Sequence, residues 1–170
     1  MDGLPQSRNR NQWHSRQAVR ITLHPARIQD FDYCASLYFS GMKAIIQELN
    51  LDMAAQAAGF RQQWKLTQVR IIRLDDVDVG WLQSDKIGDT VFLAQLFLDG
   101  PFQRQGIGTR VMNCLIGEAT LARQAVTLAV VKINPALRLY ERLGFRITHE
   151  DDRKFYMRRE PDADVSILKT

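Results

Sequence analysis

Gln103-Arg104-Gln105-Gly106-Ile107-Gly108 follows an apolar run, Val91 to Leu98, interrupted only by Gln95. It opens onto Ile107, Val111, Met112, Leu115, Ile116 and Ala119, which share one face at a helical period. The order predicts a buried strand, a glycine-bearing turn and a helix N-terminus. Such a junction aims unpaired backbone N–H groups at one point, where the helix dipole is positive. The natural guest is an anion, phosphate above all. Glycine suits the turn because a side chain would hold the phosphate away from the backbone.

Two phosphate loops can be set aside. The triphosphate loop needs GxxxxGK[ST]; Gly100 and Gly106 are one residue too far apart for it, and Ile107 stands where Lys is required. The dinucleotide fingerprint GxGxxG fits only at Gly106-Ile107-Gly108-Thr109-Arg110-Val111, with Val111 in the third glycine position. No acidic residue closes the next strand, which ends in Lys132. A pyrophosphate cradle of the form [QR]xxGx[GA] matches at every defined position. An ordinary strand–turn–helix connection would also carry so short a pattern, and the downstream sequence decides between them.

Ala125 to Val131 reads as a second buried strand. Asn134 then suits an N-cap, Pro135 a first helical position, Gly144 a helix end, and Phe145 the start of the next strand. Asn134, Ala136, Tyr140, Gly144 and Phe145 occupy the defined positions of N-x-x-A-x-x-x-Y-x-x-x-G-F. With the cradle upstream, this resembles the GNAT superfamily of N-acetyltransferases over about Val19 to Arg159, most sharply from Phe97 to Phe145.

The resemblance implies an α+β fold of three layers, αβα: a mixed, mostly antiparallel sheet with helices on both faces, in the order β-α-α-β-β-β-α-β-α-β-β. It implies that the strands flanking the phosphate loop run parallel and then splay to admit a pantetheine arm. It implies acetyl-coenzyme A as cosubstrate, with no metal, and acetyl transfer to an amine. Gln103, Arg104, Gln105, Gly106, Ile107, Gly108 and Thr109 would hold the pyrophosphate. Phe97, Leu98 and Asp99 would meet the pantetheine amides and the thioester carbonyl. Asn134 and Ala136 would contact the cofactor, and Tyr140 would protonate the leaving thiolate. The sequence departs from better-known members at the base: the central strand has Gln95 and no carboxylate. Gln95 cannot take a proton, which leaves water relays or Glu150-Asp151-Asp152 and also admits a coenzyme A-binding sensor without catalysis.

Composition agrees with one soluble globular domain of 170 residues, 45% hydrophobic and 25% charged. No apolar stretch approaches the roughly 18 residues of a membrane span, and the N-terminus carries no signal peptide, so a cytoplasmic protein is expected. Residues 1–100 carry eleven basic and eleven acidic side chains, whereas 101–159 carry eleven against five. The basic half therefore holds the phosphate loop, which suits a phosphate-rich partner. The basic residues alternate with core positions, which argues against nucleic acid. The acidic loop after Phe145 would favour a cationic amine acceptor, and a homodimer is admissible. Cys34 and Cys114 read as small buried thiols, and His14, His24 and His149 show no metal-ligand spacing.

Along the chain, 1–17 reads as a disordered leader, 18–160 as one domain and 161–170 as a flexible tail. Within the domain the expected elements are a strand Val19 to Leu23 broken by His24-Pro25-Ala26, then helices from Asp30 to Ile46 and Leu51 to Trp64. Tyr38, Met42, Phe60 and Trp64 of these helices line either the core or an acceptor pocket. Strands follow at Val69 to Leu74, Val79 to Ser84 and Val91 to Leu98. Beyond the phosphate loop come Phe145 to Thr148 and Lys154 to Arg158.

Overall fold

A computed structural model describes residues 19–163, so the expected leader and residues 164–170 of the expected tail lie outside the described residues. The elements run β1 (Ile21–Pro25), α1 (Phe31–Glu48), α2 (Met53–Gln63), β2 (Val69–Leu74), β3 (Val77–Ile87), β4 (Thr90–Leu98), α3 (Ile107–Leu121), β5 (Ala125–Val131), α4 (Leu137–Arg142), β6 (Arg146–Glu150) and β7 (Lys154–Arg159). The order is the expected one. Seven strands form one sheet in the order β1-β2-β3-β4-β5-β7-β6, antiparallel except at β4–β5. The sheet is thus mixed and mostly antiparallel, with β4 at its centre.

Helices cover both faces of β4, which is apolar on both sides. On one face α3 and α4 pack Ile107, Val111, Met112, Leu115 and Tyr140 against Val91, Leu93, Val126 and Leu128. On the other, α1 and α2 pack Cys34, Leu37, Tyr38, Phe60 and Trp64 against Val69, Ile71 and Trp81. Aromatic rings dominate this second layer, with Phe97 stacked on Trp81 at 5.5 Å and edge-on to Tyr38 at 5.4 Å. Among the described residues no helix is long and apolar enough to cross a membrane.

Local chemistry explains most boundaries. Asp52 caps α2 by accepting from the Ala55 N–H at 2.6 Å. Asp30 instead accepts from the Arg27 N–H at 2.6 Å, closing a 3-10 turn before α1. The strand expected to break at His24 continues through Pro25, because β1 is an edge strand and a missing donor costs nothing on its open side. Both hairpins are longer than expected, with two-residue loops at Asp75-Asp76 and Gly88-Asp89. Cys34 is buried, but Cys114 is exposed on the outer side of α3, which corrects the reading of both as buried thiols.

Two β-bulges redirect side chains. Ile72 pairs with Gly80 and Arg73 with Asp78, so Val79 is the extra residue in β3. Gln83 pairs with Gln95 and Ser84 with Leu93, so Ala94 is the extra residue in β4. Past Ala94 the faces exchange: Gln95 and Phe97 turn toward α1, Leu96 and Leu98 toward α3. Gly80 permits the close approach of β3 to the end of β4. A Cβ there would overlap the Phe97 carbonyl oxygen and stand 3.1 Å from Leu98 Cα. Gly80→Ala is therefore expected to cost about 2–3 kcal/mol, read as a lower urea midpoint at unchanged m. In α2 a Cβ on Gly59 meets nothing within 4 Å, so Gly59→Ala is expected to raise the midpoint by up to about 1 kcal/mol of stability.

Candidate active site

The parallel ladder between β4 and β5 covers only Thr90–Leu93 and Ala125–Leu128. β4 runs on to Leu98 and β5 to Val131, so the strands part just where Ala94 bulges. Along β4 the main-chain groups alternate between its two neighbours. The Asp99 N–H donates to the Val79 carbonyl at 2.9 Å, and Phe97 pairs with Trp81 in the same register. Leu96 and Leu98 therefore direct their main chain into the gap. Leu98 stood among the expected contacts; Leu96 did not, because its orientation depends on the cross-strand register. The Leu98 carbonyl accepts from Gln103 Nε2 at 2.8 Å, and Phe97 directs its ring into the aromatic layer.

The turn after β4 begins with a 3-10 segment, Gly100–Phe102, after which Arg104 (φ +61°) and Gly106 (φ +78°) adopt left-handed conformations. Such alternation folds successive N–H groups toward a common centre. Gly106 is the N-cap of α3 and its carbonyl accepts from the Arg110 N–H at 3.1 Å. No described residue accepts from the main-chain N–H groups of Arg104, Gln105, Gly106, Ile107, Gly108 or Thr109. Six main-chain donors without a described acceptor thus lie together in sequence at the positive end of a fifteen-residue helix. Gln103 and Gln105 spend their side chains on the loop itself, Gln105 Nε2 donating to the Pro101 carbonyl at 2.6 Å.

The two glycines differ. A Cβ on Gly106 would meet nothing within 4 Å, but in a backbone conformation L-residues rarely adopt. A Cβ on Gly108 would rest 3.7 Å from both Leu139 and Leu98, in ordinary contact. Gly108 therefore marks where β4, α3 and α4 meet, and the demand for a left-handed backbone falls on Gly106.

α4 brings the second motif to this junction. Asn134 Oδ1 accepts from the Ala136 N–H at 2.9 Å and its carbonyl accepts from Leu137 at 3.1 Å, starting the turn that leads into α4. Gly144 (φ +87°) ends the helix, and the Phe145 N–H reaches back to the Tyr140 carbonyl at 3.1 Å. Tyr140 sits in the same apolar cluster as Leu96, Leu98 and Ala136. Burial pushes its phenol up to about 12, and its ring meets Phe145 edge-on at 5.9 Å. No described group hydrogen-bonds its hydroxyl.

The acidic loop is largely occupied with its own structure. Asp151 accepts from the Arg153 and Lys154 N–H groups at 2.8 and 2.7 Å and from the Tyr156 hydroxyl at 2.9 Å. These bonds hold its carboxyl below the ordinary value. Glu150 lies 3.4 Å from Lys132 Nζ. Gln95 stands partly buried on the α1 side with no described partner for its amide.

Residues 65–147 match the family model described as "Acetyltransferase (GNAT) domain". No curated protein matches the chain in sequence. Among solved structures, the PaiA N-acetyltransferase from Thermoplasma acidophilum, in complex with coenzyme A, superposes with a TM-score of 0.70 at 14% identity over 83% of this chain and 99% of that one. An N-acetyltransferase from Staphylococcus aureus gives 0.64 at 12% identity, covering 81% and 100%. An acetyltransferase from Thermus thermophilus gives 0.64 at 15% identity, covering 82% and 96%. The unpartnered N–H groups and the parted β4–β5 pair thus lie within a segment, residues 65–147, that matches the GNAT acetyltransferase domain, in a chain that has the fold of solved N-acetyltransferases.

Proposed function

We propose that the protein transfers the acetyl group of acetyl-coenzyme A to a primary amine of a small molecule or peptide, by direct attack in a ternary complex. The observation that carries this reading is the set of unpartnered N–H groups from Arg104 to Thr109 next to the gap beyond Ala94. The cradle takes the pyrophosphate by charge-assisted hydrogen bonds. The pantetheine arm lies in the gap, where Leu96 and Leu98 offer main-chain donors and acceptors in place of the missing β5 ladder. A main-chain N–H beside the thioester carbonyl acts as an oxyanion-hole donor, often worth a few kcal/mol. Asn134 and Ala136 border the arm, and Tyr140 faces the sulfur.

The chemistry requires the amine lone pair to form an N–C bond as the C–S bond breaks, with one proton leaving nitrogen and one reaching sulfur. A phenol at about 12 keeps its proton at neutral pH. It is a weaker acid than a thiol near 8.5, so Tyr140 acts by donating a hydrogen bond to the sulfur as charge develops there. The sign is definite: a raised value leaves the donor form intact until pH rises through about 12. The alkaline side of the kcat profile is thus expected to show no limb below about pH 10 that Tyr140→Phe removes; such a limb at pH 8–9 would contradict this role.

A thiol-release screen against polyamines, amino acids, aminoglycosides and peptide N-termini tests the transfer. Steady release with any of them supports it. Calorimetric binding of acetyl-coenzyme A without release from any amine favours the second reading, a coenzyme A-binding sensor, for which the amide of Gln95 in place of a carboxylate on β4 is the specific observation.

A further inference from the structure

The side chains on the face of β5, β7 and β6 opposite α3 and α4 are Thr127, Ala129 and Val131, then Lys154, Tyr156 and Arg158, then Arg146 and His149. No described helix lies on this face, whereas α1 and α2 cover the corresponding side of β2, β3 and β4. Tyr156 stands directly across from Ala129, the residue after Leu128 where the β4–β5 ladder ends. His149 lies flat on the Tyr156 ring, with centroids 4.3 Å apart and planes at 5°. The stack is therefore level with the mouth of the gap.

The hydrogen bonds around Thr148 fix the histidine's tautomer. Thr148 is the extra residue of a bulge in β6, and its hydroxyl meets two groups, the Tyr156 carbonyl at 3.1 Å and His149 Nδ1 at 3.0 Å. A hydroxyl has one proton and a carbonyl can only accept, so that proton goes to Tyr156 and Nδ1–H of the neutral ring must donate to Thr148. Nε2 is left as a bare lone pair, held by the stack, with no described partner. The charged and titratable groups around it are Tyr156, Lys154 and Arg158 from β7, Arg146 from β6, and Asp151 and Asp152 from the loop; β5 contributes none to this face.

We propose that His149 is the general base of the acetyl transfer, with the acceptor amine lying across the open face above Tyr156. The proposal rests on the transfer reading above and supplies the base that β4 lacks. Two strand spacings, about 10 Å, separate β6 from β5, and the gap opens on the far side of β5, so the acceptor and bridging water together span the distance. The amine proton passes through that water to Nε2. The lone pair of the uncharged amine forms the N–C bond as that proton leaves, and the sulfur departs with the C–S electron pair, hydrogen-bonded by Tyr140 and taking its proton from solvent.

Two measurements on the full chain test it. Nitrogen-15 NMR of the neutral ring is expected to show the Nδ1–H tautomer; an Nε2–H tautomer overturns the assignment. Thiol release is then followed against pH with spermidine, tryptamine and an alanyl peptide amide. His149→Gln is expected to lower kcat/KM roughly a hundredfold and to abolish the acid limb, with calorimetric affinity for acetyl-coenzyme A unchanged. An intact rate and an intact acid limb in that variant overturn the assignment while leaving the transfer reading standing. Binding of acetyl-coenzyme A without release from the native protein by any of the three probes removes the transfer itself, and the base with it.

Discussion

Tyr140→Phe is expected to lower kcat by roughly ten- to a thousandfold while the dissociation constant for acetyl-coenzyme A changes by less than about twofold. The substitution removes one oxygen and leaves the ring, so its contact with Phe145 and its place in the apolar cluster survive. No described residue depends on the hydroxyl for a hydrogen bond, so nothing in the free protein is orphaned. The ground-state complex loses little, because a thioester sulfur is a poor acceptor. The transition state loses a donor to a sulfur becoming anionic, from a tyrosine that is largely buried. An interaction made only in the transition state appears in kcat and kcat/KM together, with binding spared. Stopped initial rates of thiol release and calorimetry on the same preparations check both halves. Equal turnover in the two proteins would take Tyr140 out of the reaction.

What the sequence displayed, it displayed through local rules. Every apolar position assigned to the inner face of α3 is buried, from Ile107 to Ala119, because helical period alone decides which side a residue occupies. Gly144 ends α4 and Asp52 caps α2 for the same reason: cap chemistry involves only neighbours three to five residues away. The centrality of β4 followed from its apolar residues on both faces.

What it concealed depends on partners far away in the chain. The extra residues Val79 and Ala94 are visible only once three strands are laid side by side. Without the Ala94 bulge, alternation would place Gln95 with Leu93 on the α3 side, and Leu96 would not be counted among the residues facing the gap. Thr148 and His149 look like ordinary hairpin residues until the bulge opposite Tyr156 turns the Thr148 hydroxyl to the Tyr156 carbonyl and brings His149 Nδ1 to that hydroxyl. The carboxylates of the acidic loop were legible as charge but not as turn ligands, since Asp151 is consumed by the N–H groups of Arg153 and Lys154. Cys114 shows the same limit at smaller scale: its type favours burial, but its helical phase puts it on the outer side of α3.

Gly106→Asn is expected to weaken acetyl-coenzyme A binding at least about thirtyfold, while Gly108→Ala leaves it within about threefold. Asn is the residue besides glycine that best tolerates the left-handed conformation at φ +78°, and a Cβ at this position touches nothing in the free protein. The variant is therefore expected to fold, with a melting temperature within a few degrees of the parent. Its side chain is nevertheless expected to crowd a diphosphate bound against the unpartnered N–H groups from Arg104 to Thr109. A hydrogen bond to a charged acceptor is worth about 1.5–3 kcal/mol, and each 1.4 kcal/mol is tenfold in affinity, so displacing the diphosphate from one or two donors produces the expected loss. At Gly108 the added methyl rests against Leu139 and Leu98, away from the donors, and alanine in a helix is if anything favourable. The paired comparison separates the cradle from mere compactness of the turn. If tightness were the reason for both glycines, the two variants would suffer alike; if the diphosphate sits against these donors, only the first does. Native affinity in a folded Gly106→Asn protein would remove the cradle, and with it the physical basis for holding the acyl carrier at this end of the sheet.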